Sequence, residues 1–190
     1  MNELSSNQVD QQLIQATLDG NSEVFGQLIC KYQNRLYTGL VQMLRSESDA
    51  EDVVQEAFIL AYTKLSTFQG NSAFFTWLYR IGYNVAITKL RRRKPTVSLE
   101  NRDDDTQFQL PGNAPMPDAD LEREEQATQL MEALGRLSEE HRSILVLREM
   151  EEMDYDAISE ILDLPIGTVR SRLHRARSQL KLQLELIMDS

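Results

Sequence analysis

Cysteine occurs once in these 190 residues, at Cys30, and histidine only twice, at His141 and His174. A lone cysteine excludes an internal disulfide. With no Cys or His at metal-ligand spacing around it, Cys30 reads as a small buried core residue rather than a ligand or nucleophile. The two histidines are too far apart in the chain to form a metal signature, and neither has a nucleophile beside it. No glycine run has the spacing of a Walker or dinucleotide phosphate loop. The carboxylates, although abundant, fall on helix faces and in a connecting segment, where solvation accounts for them. The expectation is therefore a chain with no catalytic residues, no metal site and no cofactor, and not an enzyme. Long apolar runs are missing too. The longest aliphatic stretch is Ile144 to Leu147, against the roughly 20 residues needed to cross a bilayer. Met1 to Ser6 lacks the basic and apolar regions of a secretory signal, so the expected location is cytoplasmic, without membrane insertion.

Basic residues are outnumbered, 20 against 30, for a formal charge of −10. That total would argue against nucleic acid if it were spread evenly, but it is not. Residues 1–95 carry +1, residues 96–125 carry −7 and residues 126–190 carry −4. No Asp or Glu occurs between Ala57 and Leu99, a window that holds Lys64, Arg80, Lys89, Arg91, Arg92, Arg93 and Lys94. A second acid-free stretch, Ile166 to Lys181, holds five Arg or Lys. Each half of the chain thus offers its own basic surface.

Four of the five prolines, Pro95, Pro111, Pro115 and Pro117, cluster with Asp103, Asp104 and Asp105 between two helix-rich blocks. A connection of this length without periodicity is unusual inside one compact domain. We divide the chain into a first domain at 1–95, an acidic, proline-containing flexible linker at 96–117 and a second domain at 118–190. Composition favours a disordered tether; occupation of a basic channel on a partner, or shielding of a basic surface, stays open. Val, Ile and Thr nowhere alternate with polar residues for long enough to suggest a sheet. The expected fold class is all-α, two helical domains.

In the first domain, Asn21 or Ser22 is placed to cap a helix with Phe25, Leu28, Tyr32, Leu36, Leu40 and Met43 along its apolar side. Ser48 to Glu51 has capping-box spacing and opens a second helix to about Leu65. This second helix is expected to bury Val54, Phe58, Ala61 and Leu65, and to expose Asp52, Gln55, Glu56 and Ile59. A third helix runs from about Ser72 to Lys94. In the second domain a helix starts at Asp118 and reaches about Arg136, and Ser138 caps another from Glu139 to Glu149. A short amphipathic helix, Tyr155 to Leu162, then follows its cap Asp154. A tight break over Asp163 to Ile166 leads into the basic helix. Short helix, turn and basic helix is the pattern of a helix-turn-helix DNA reader.

Within the basic helix, Val169, Leu173, Ala176 and Leu180 form a narrow buried stripe, leaving Ser171, His174, Arg175 and Ser178 on the opposite side. Arg170, Arg172 and Arg177 suit phosphates, while Ser171, His174 and Arg175 are best placed for base edges, with Thr168 at the helix start. The competing reading is a solvated bundle helix. The preceding turn and the missing acids weigh against it.

The segment Phe68 to Asn84 holds six of the thirteen aromatics. Phe74, Leu78, Ile81 and Val85 form its expected buried stripe, whereas Trp77, Arg80, Asn84, Thr88 and Arg91 share another face. A flat π-face beside an amide and two guanidiniums, followed by Arg91, Arg92 and Arg93, suits an unpaired base and its backbone. The polar loop Gln69, Gly70, Asn71, Ser72 can hydrogen-bond a base turned out of its stack. The alternative is a packed tryptophan on a helix whose basic end complements the dipole. A duplex reader in the same chain tips the balance toward single-strand capture.

These residues together resemble the sigma-70 family of bacterial transcription initiation factors, and within it the two-domain extracytoplasmic-function (ECF) members. Asp49-Ala50-Glu51-Asp52-Val53-Val54-Gln55-Glu56-Ala57-Phe58 is similar to the family's polymerase-clamp helix. Phe74 to Ile81 resembles its promoter-melting region, and Gly167 to Arg177 its recognition helix. The resemblance implies that Asp52, Gln55, Glu56 and Ile59 contact the clamp helices of the largest subunit of core RNA polymerase, with the flap of the second largest as a further contact. It implies that Phe68, Gln69, Asn71, Ser72, Trp77, Arg80 and Asn84 capture the opened minus-ten strand of promoter DNA, and that Arg170, Ser171, His174 and Arg175 read the minus-thirty-five duplex. An anti-sigma factor is a candidate partner, since family members are commonly held inactive by one. Two departures, Asp156-Ala157-Ile158-Ser159 for the frequent Glu-Glu-Ile-Ala and Gly82 for a frequent alanine, touch packing and no presumed DNA contact. The main competing function is a free-standing helix-turn-helix regulator that uses its first domain to dimerise or sense.

Overall fold

The computed structural model describes the backbone of residues 3–93 and 119–189, and the side chains of residues 7–92 and 125–189. The linker expected at 96–117, Lys94, the Asp118 helix start and the Arg93 side chain lie outside the described residues. Among the described residues there are eight α-helices and no strand. They fall into two compact units, the first of which also takes in Ser159–Asp163.

The first unit contains α1 (Glu3–Leu18), α2 (Phe25–Leu44), α3 (Glu47–Thr63) and α4 (Phe74–Arg93). The apolar side of α2 is the expected one, with Phe25, Leu28, Tyr32, Leu36, Leu40 and Met43 all buried. Its start differs from expectation. A single 3-10 turn, Ser22–Val24, leads directly into α2, and Asn21 makes no side-chain cap. The turn already occupies the first N–H groups, which leaves a capping side chain nothing to satisfy. Cys30 is exposed rather than buried. It lies two residues from both Leu28 and Tyr32, and so roughly 200° around the helix from the buried stripe.

α2 stops at Arg45, whose φ of 56° turns the chain left-handed while its N–H bonds Val41 O at 2.7 Å. That turn puts the cap of α3 at Ser46, not Ser48: Ser46 Oγ accepts from Asp49 N at 3.3 Å. Glu47 and Asp49 then lie in the first turn, where the helix dipole favours acids. α3 buries Val53, Ala57, Phe58 and Ala61, with Val54 only half-buried. It ends at Thr63, and Leu65 is buried in a following 3-10 turn, Leu65–Thr67.

α4 packs on both α2 and α3, and its buried residues are Phe74, Phe75, Thr76, Leu78, Tyr79, Gly82 and Ala86. Ile81 and Val85, expected in the core, are half-buried. The stripe is rotated because the helix approaches its neighbours over its small residues. A Cβ at Gly82 would lie 3.4 Å from Leu36 Cδ1, 3.6 Å from Leu40 Cδ1 and 3.7 Å from Ala57 Cβ.

α1 is fastened to α2 by a buried carboxylate. Asp10 is 2% exposed and accepts from both the Lys31 ammonium and the Tyr32 hydroxyl. Burial works against the charge on Lys31, but its hydrogen bond to Asp10, aided by Tyr32, outweighs this and raises its pKa above the ordinary lysine value. Burial, and then the same carboxylate, raise the Tyr32 phenol above its ordinary value.

In the second unit, α5 (Ala119–Gly135) and α6 (Glu139–Leu145) pack against α8 (Ile166–Met188), and α7 (Tyr155–Leu162) precedes α8. Ser138 caps α6 by accepting from His141 N at 3.3 Å, and Asp154 caps α7 by accepting from Ala157 N at 2.7 Å, both as expected. The expected helix to Glu149 instead changes to a π-turn over Val146–Met150, with Glu151 N donating to Val146 O at 3.0 Å. Ile144, Leu145, Val146 and Leu147 are all buried; four consecutive inward positions do not fit one face of an α-helix, and the wider turn accommodates them. Asp163, at φ 53°, makes the left-handed break before α8.

Two predictions follow from the first unit, both read by the fluorescence of Trp77, the sole tryptophan. Gly82→Ala should stabilise it by about 0.5–1 kcal/mol, because the new methyl meets only ordinary contacts while the helix interior loses a glycine. The urea midpoint rises at an unchanged slope; a fall in midpoint contradicts the packing described. Separately, Lys31 and Tyr32 hold their protons more tightly when folded, so the stability they contribute is complete below about pH 10 and is lost as pH rises through their raised values. Asp10→Ala should cost about 1–3 kcal/mol near neutral pH and flatten the alkaline decline. A decline of wild-type steepness in the variant would rule this linkage out.

Candidate nucleic-acid interface

At the N-terminal end of α4 three aromatic rings meet. Trp77 is half-buried, 5.3 Å from Phe68 and 5.8 Å from Phe74 by ring centroids, and Phe68 meets Phe74 edge-on at 5.8 Å. Trp77 is thus packed on two rings and still partly open to solvent. Tyr32 contacts Phe74 at 5.8 Å and stacks on Phe75 at 5.3 Å, so the ring cluster is continuous with the Asp10 anchor.

The loop after Phe68 turns at Gly70, where φ is +72° and a side chain would be strained. The Asn71 amide donates to Gln69 Oε1 at 3.2 Å, and both residues are exposed. Between this loop and α1 lies a cavity of about 250 Å³, lined by Asn7, Asp10, Gln11, Phe68, Asn71, Ser72 and Phe74 among others. Its volume lies just below the roughly 300–1,000 Å³ of a site for a drug-sized ligand, the scale of a single base rather than an extended ligand. The contribution of α1 was not legible in sequence, because nothing in the spacing of Asn7 and Gln11 ties them to a loop some sixty residues away.

Further along α4, Arg80, Asn84, Thr88 and Arg91 are exposed at helical spacing on the expected face, and Arg92 is exposed beside them. Thr88 Oγ1 donates to the Asn84 backbone carbonyl at 2.8 Å. Lys89 behaves differently from its cationic neighbours. It pairs with Asp52 at 2.7 Å and Asp49 at 2.9 Å, and these bonds, Asp52 first, raise its pKa despite partial burial.

On α3, Asp52, Gln55, Glu56 and Ile59 are all exposed at positions that share one face, Ile59 at 66%. Asp52 and Glu56 also border a groove of about 590 Å³ between α3 and α4, with Ile81, Asn84 and Val85 on its other wall. The half-burial of Ile81 and Val85 belongs to this groove.

In the second unit Val169, Leu173 and Ala176 are fully buried, while Leu180 is only half-buried. Ser171, His174, Arg175 and Ser178 are exposed as expected, and Thr168 is half-buried at the start of α8. The five cations of the helix are not equivalent. Arg172 pairs with Glu140 at 3.2 Å, Arg177 bonds Glu149 Oε1 at 2.6 and 2.9 Å, and Lys181 sits 3.7 Å from Glu185. Arg170 lies over the Tyr155 ring at 5.7 Å; Arg148, tied to Met153 O at 2.7 Å, meets the same ring at 5.2 Å. Ser178 Oγ donates to the His174 backbone carbonyl at 3.1 Å; among the described residues the side chains of His174 and Arg175 make no hydrogen bond, ion pair or ring contact. The His141 ring nitrogen instead meets Gln179 Oε1 at 2.7 Å. Sequence reasoning missed Tyr155, Glu140 and Glu149 because each reaches α8 only through the packing of α6 and α7.

Among the described residues no group of three or more His, Cys, Asp or Glu is arranged to hold a metal, and no helix is long and apolar enough to cross a membrane.

Two family descriptions match the chain: Sigma-70 region 2 over residues 28–96 and Sigma-70, region 4 over residues 127–180. The ECF RNA polymerase sigma-E factor of Haemophilus influenzae is 36% identical over 187 residues, covering 94% of this chain and 97% of the relative. The RNA polymerase sigma-H factor of Pseudomonas aeruginosa is also 36% identical, over 94% of this chain and 95% of its own. Among solved structures, CnrH in complex with the cytosolic domain of CnrY superposes with a TM-score of 0.67 at 25% identity, covering 93% of this chain and 97% of that one. The sigma factor RpoE of Bartonella quintana, solved with the anti-sigma factor NepR, shares the fold at a TM-score of 0.67 and 24% identity, over 85% of this chain and 96% of that one.

Proposed function

We propose a division of labour within this chain, which belongs to the ECF group of the sigma-70 family and directs promoter-specific transcription initiation with core RNA polymerase. Residues 1–95 hold core polymerase and capture the opened minus-ten strand. Residues 96–117 connect, and residues 118–190 read the minus-thirty-five element as duplex. The observation that carries this is the half-open Trp77 ring, set against Phe68 and Phe74 beside a base-sized cavity, on the same helix as exposed Arg80, Asn84 and Arg91.

An unpaired base stacks on the exposed part of the ring cluster, and the exposed guanidiniums of Arg80, Arg91 and Arg92, with Arg93 next in sequence, hold its backbone. Phe68, Gln69, Asn71 and Ser72 border the cavity that takes a base turned out of the stack. Melting then needs no chemistry from this chain. Binding free energy gained only from unpaired DNA shifts the opening equilibrium, and the protein acts as a non-enzymatic specificity subunit. The site is cytoplasmic, where polymerase and promoter are.

Asp52, Gln55, Glu56 and Ile59 of α3 dock on the clamp helices of the largest polymerase subunit. The second unit adds a contact to the flap of the second largest. In α8, His174, Arg175 and Ser171 read base edges, with Thr168 beside them, while Arg170 contacts phosphate. Arg172 and Arg177 are drawn back by Glu140 and Glu149, and so contribute less to phosphate binding than their charge suggests. A protein inhibitor of the anti-sigma class is a further partner of the same surfaces, in line with the complex that CnrH forms with CnrY.

The two binding modes separate in two variants of the holoenzyme. Trp77→Ala should leave closed-complex formation intact and reduce promoter opening by about tenfold or more, the value of one lost base stack. Arg175→Ala should weaken binding to duplex upstream DNA by about tenfold or more, with opening of the remaining complexes unchanged. Permanganate reactivity of unpaired thymines measures the first and gel-shift titration the second. Equal loss of duplex binding in both variants would sink the division.

A further inference from the structure

One surface next to the capture loop is unexplained by these roles. From Gln11 to Leu18 α1 carries no charged residue, and neither does the chain from Leu65 to Tyr79, in a protein whose composition is 26% charged. The two uncharged stretches face one another across a groove of about 740 Å³, walled by Gln8, Gln11, Gln12 and Gln15 on α1 and by Phe68 and Gln69 on the loop. The four glutamines recur at the spacing of one helix face. Gln11, Ile14, Phe68 and Gly70 border both this groove and the 250 Å³ cavity, so the two are continuous.

The chemistry of the walls selects the ligand. Gln15 is engaged with Asp19 at 2.9 Å. Gln8, Gln11 and Gln12 are exposed and, among the described residues, make no hydrogen bond. Carboxamides present a donor and an acceptor side by side, the pattern that matches the edge of a nucleobase, whereas phosphate calls for cations and a charged peptide for countercharge. The groove holds neither charge, and Phe68 supplies an aromatic edge at its junction with the cavity. Base readers of this composition gain from contacts that leave the backbone to other residues, here the arginines of α4.

We infer that the glutamine face of α1 is a second base subsite, which receives the unpaired nucleotide adjacent to the one held in the loop cavity. This rests on the single-strand reading above. It makes Gln8, Gln11 and Gln12 specificity-determining residues of a helix to which the sequence assigned no function.

The test uses holoenzyme assembled from the full-length chain and core polymerase, and a forked promoter DNA with an upstream duplex and an unpaired downstream strand. Each unpaired base is replaced in turn by an abasic site. Wild-type holoenzyme should lose affinity at two adjacent positions. The triple variant Gln8→Ala, Gln11→Ala, Gln12→Ala should bind the intact fork about threefold to tenfold more weakly and become indifferent to base loss at one of the two, while staying sensitive at the other. That retained sensitivity also reports a folded cavity. If wild type responds at no position, the single-strand reading fails and this inference with it. A single responsive position in wild type, both sensitivities kept by the variant, or both lost, overturns the second subsite alone.

Discussion

How closely α4 sits against α2 and α3 decides which side chains of these helices reach the surface. At the seam Gly82 of α4 faces Ala57 of α3 and Leu36 and Leu40 of α2, and Ala86, one turn on, is buried. Because the helices meet over these positions, Ile81 and Val85 are turned out of the core into the groove beside α3, and Arg80, Asn84 and Arg91 are carried to the surface. The same seam holds α3 so that its bare Ile59 and its acids face away from the core. One packing choice thus sets which faces of α3 and α4 are exposed, and leaves Asp52 and Glu56 bordering the same groove as Asn84. Lys89, bonded to Asp49 and Asp52, links the two helices across the seam.

A second constraint joins α1 to this arrangement. Burying a carboxylate is costly unless it is paired and hydrogen-bonded, and Asp10 meets that condition only where Lys31 and Tyr32 of α2 supply the partners. Tyr32 in turn touches Phe74 and Phe75, and Phe74 touches Phe68 and Trp77. The chain of contacts from Asp10 to Trp77 places the amide-bearing face of α1 beside the loop at residues 68–72. It gives a structural reason for a polar residue in the core of a small helical unit.

Electrostatics in the second unit follow a different logic. Net charge hides the basic helix, and the fold then hides part of the helix's own charge. Glu140 and Glu149 take up Arg172 and Arg177, and the Tyr155 ring lies beneath Arg170. What remains outward with side chains unpaired among the described residues is His174 and Arg175.

Pattern alone was sufficient for the all-helical class, the apolar side of α2, the caps at Ser138 and Asp154, the turn before α8 and the outward set Ser171, His174 and Arg175. Each depends on spacing along a single helix, or on a cap three residues from its partner, and short-range geometry is written directly in the sequence. The misjudged positions share another feature. Ile81 and Val85 looked like core because large aliphatic residues dominate a periodicity, whereas Gly82 and Ala86, which actually made the contact, carry almost no hydrophobic weight. Ser48 lost the cap to Ser46 through a left-handed Arg45, and Cys30 fell outside the stripe by its angle around α2. The pairing of Asp10 with Tyr32, of Arg177 with Glu149 and of α1 with the capture loop joins residues far apart in the chain. Only the close packing of helices brings such groups within hydrogen-bond reach, and so only the tertiary structure decides them.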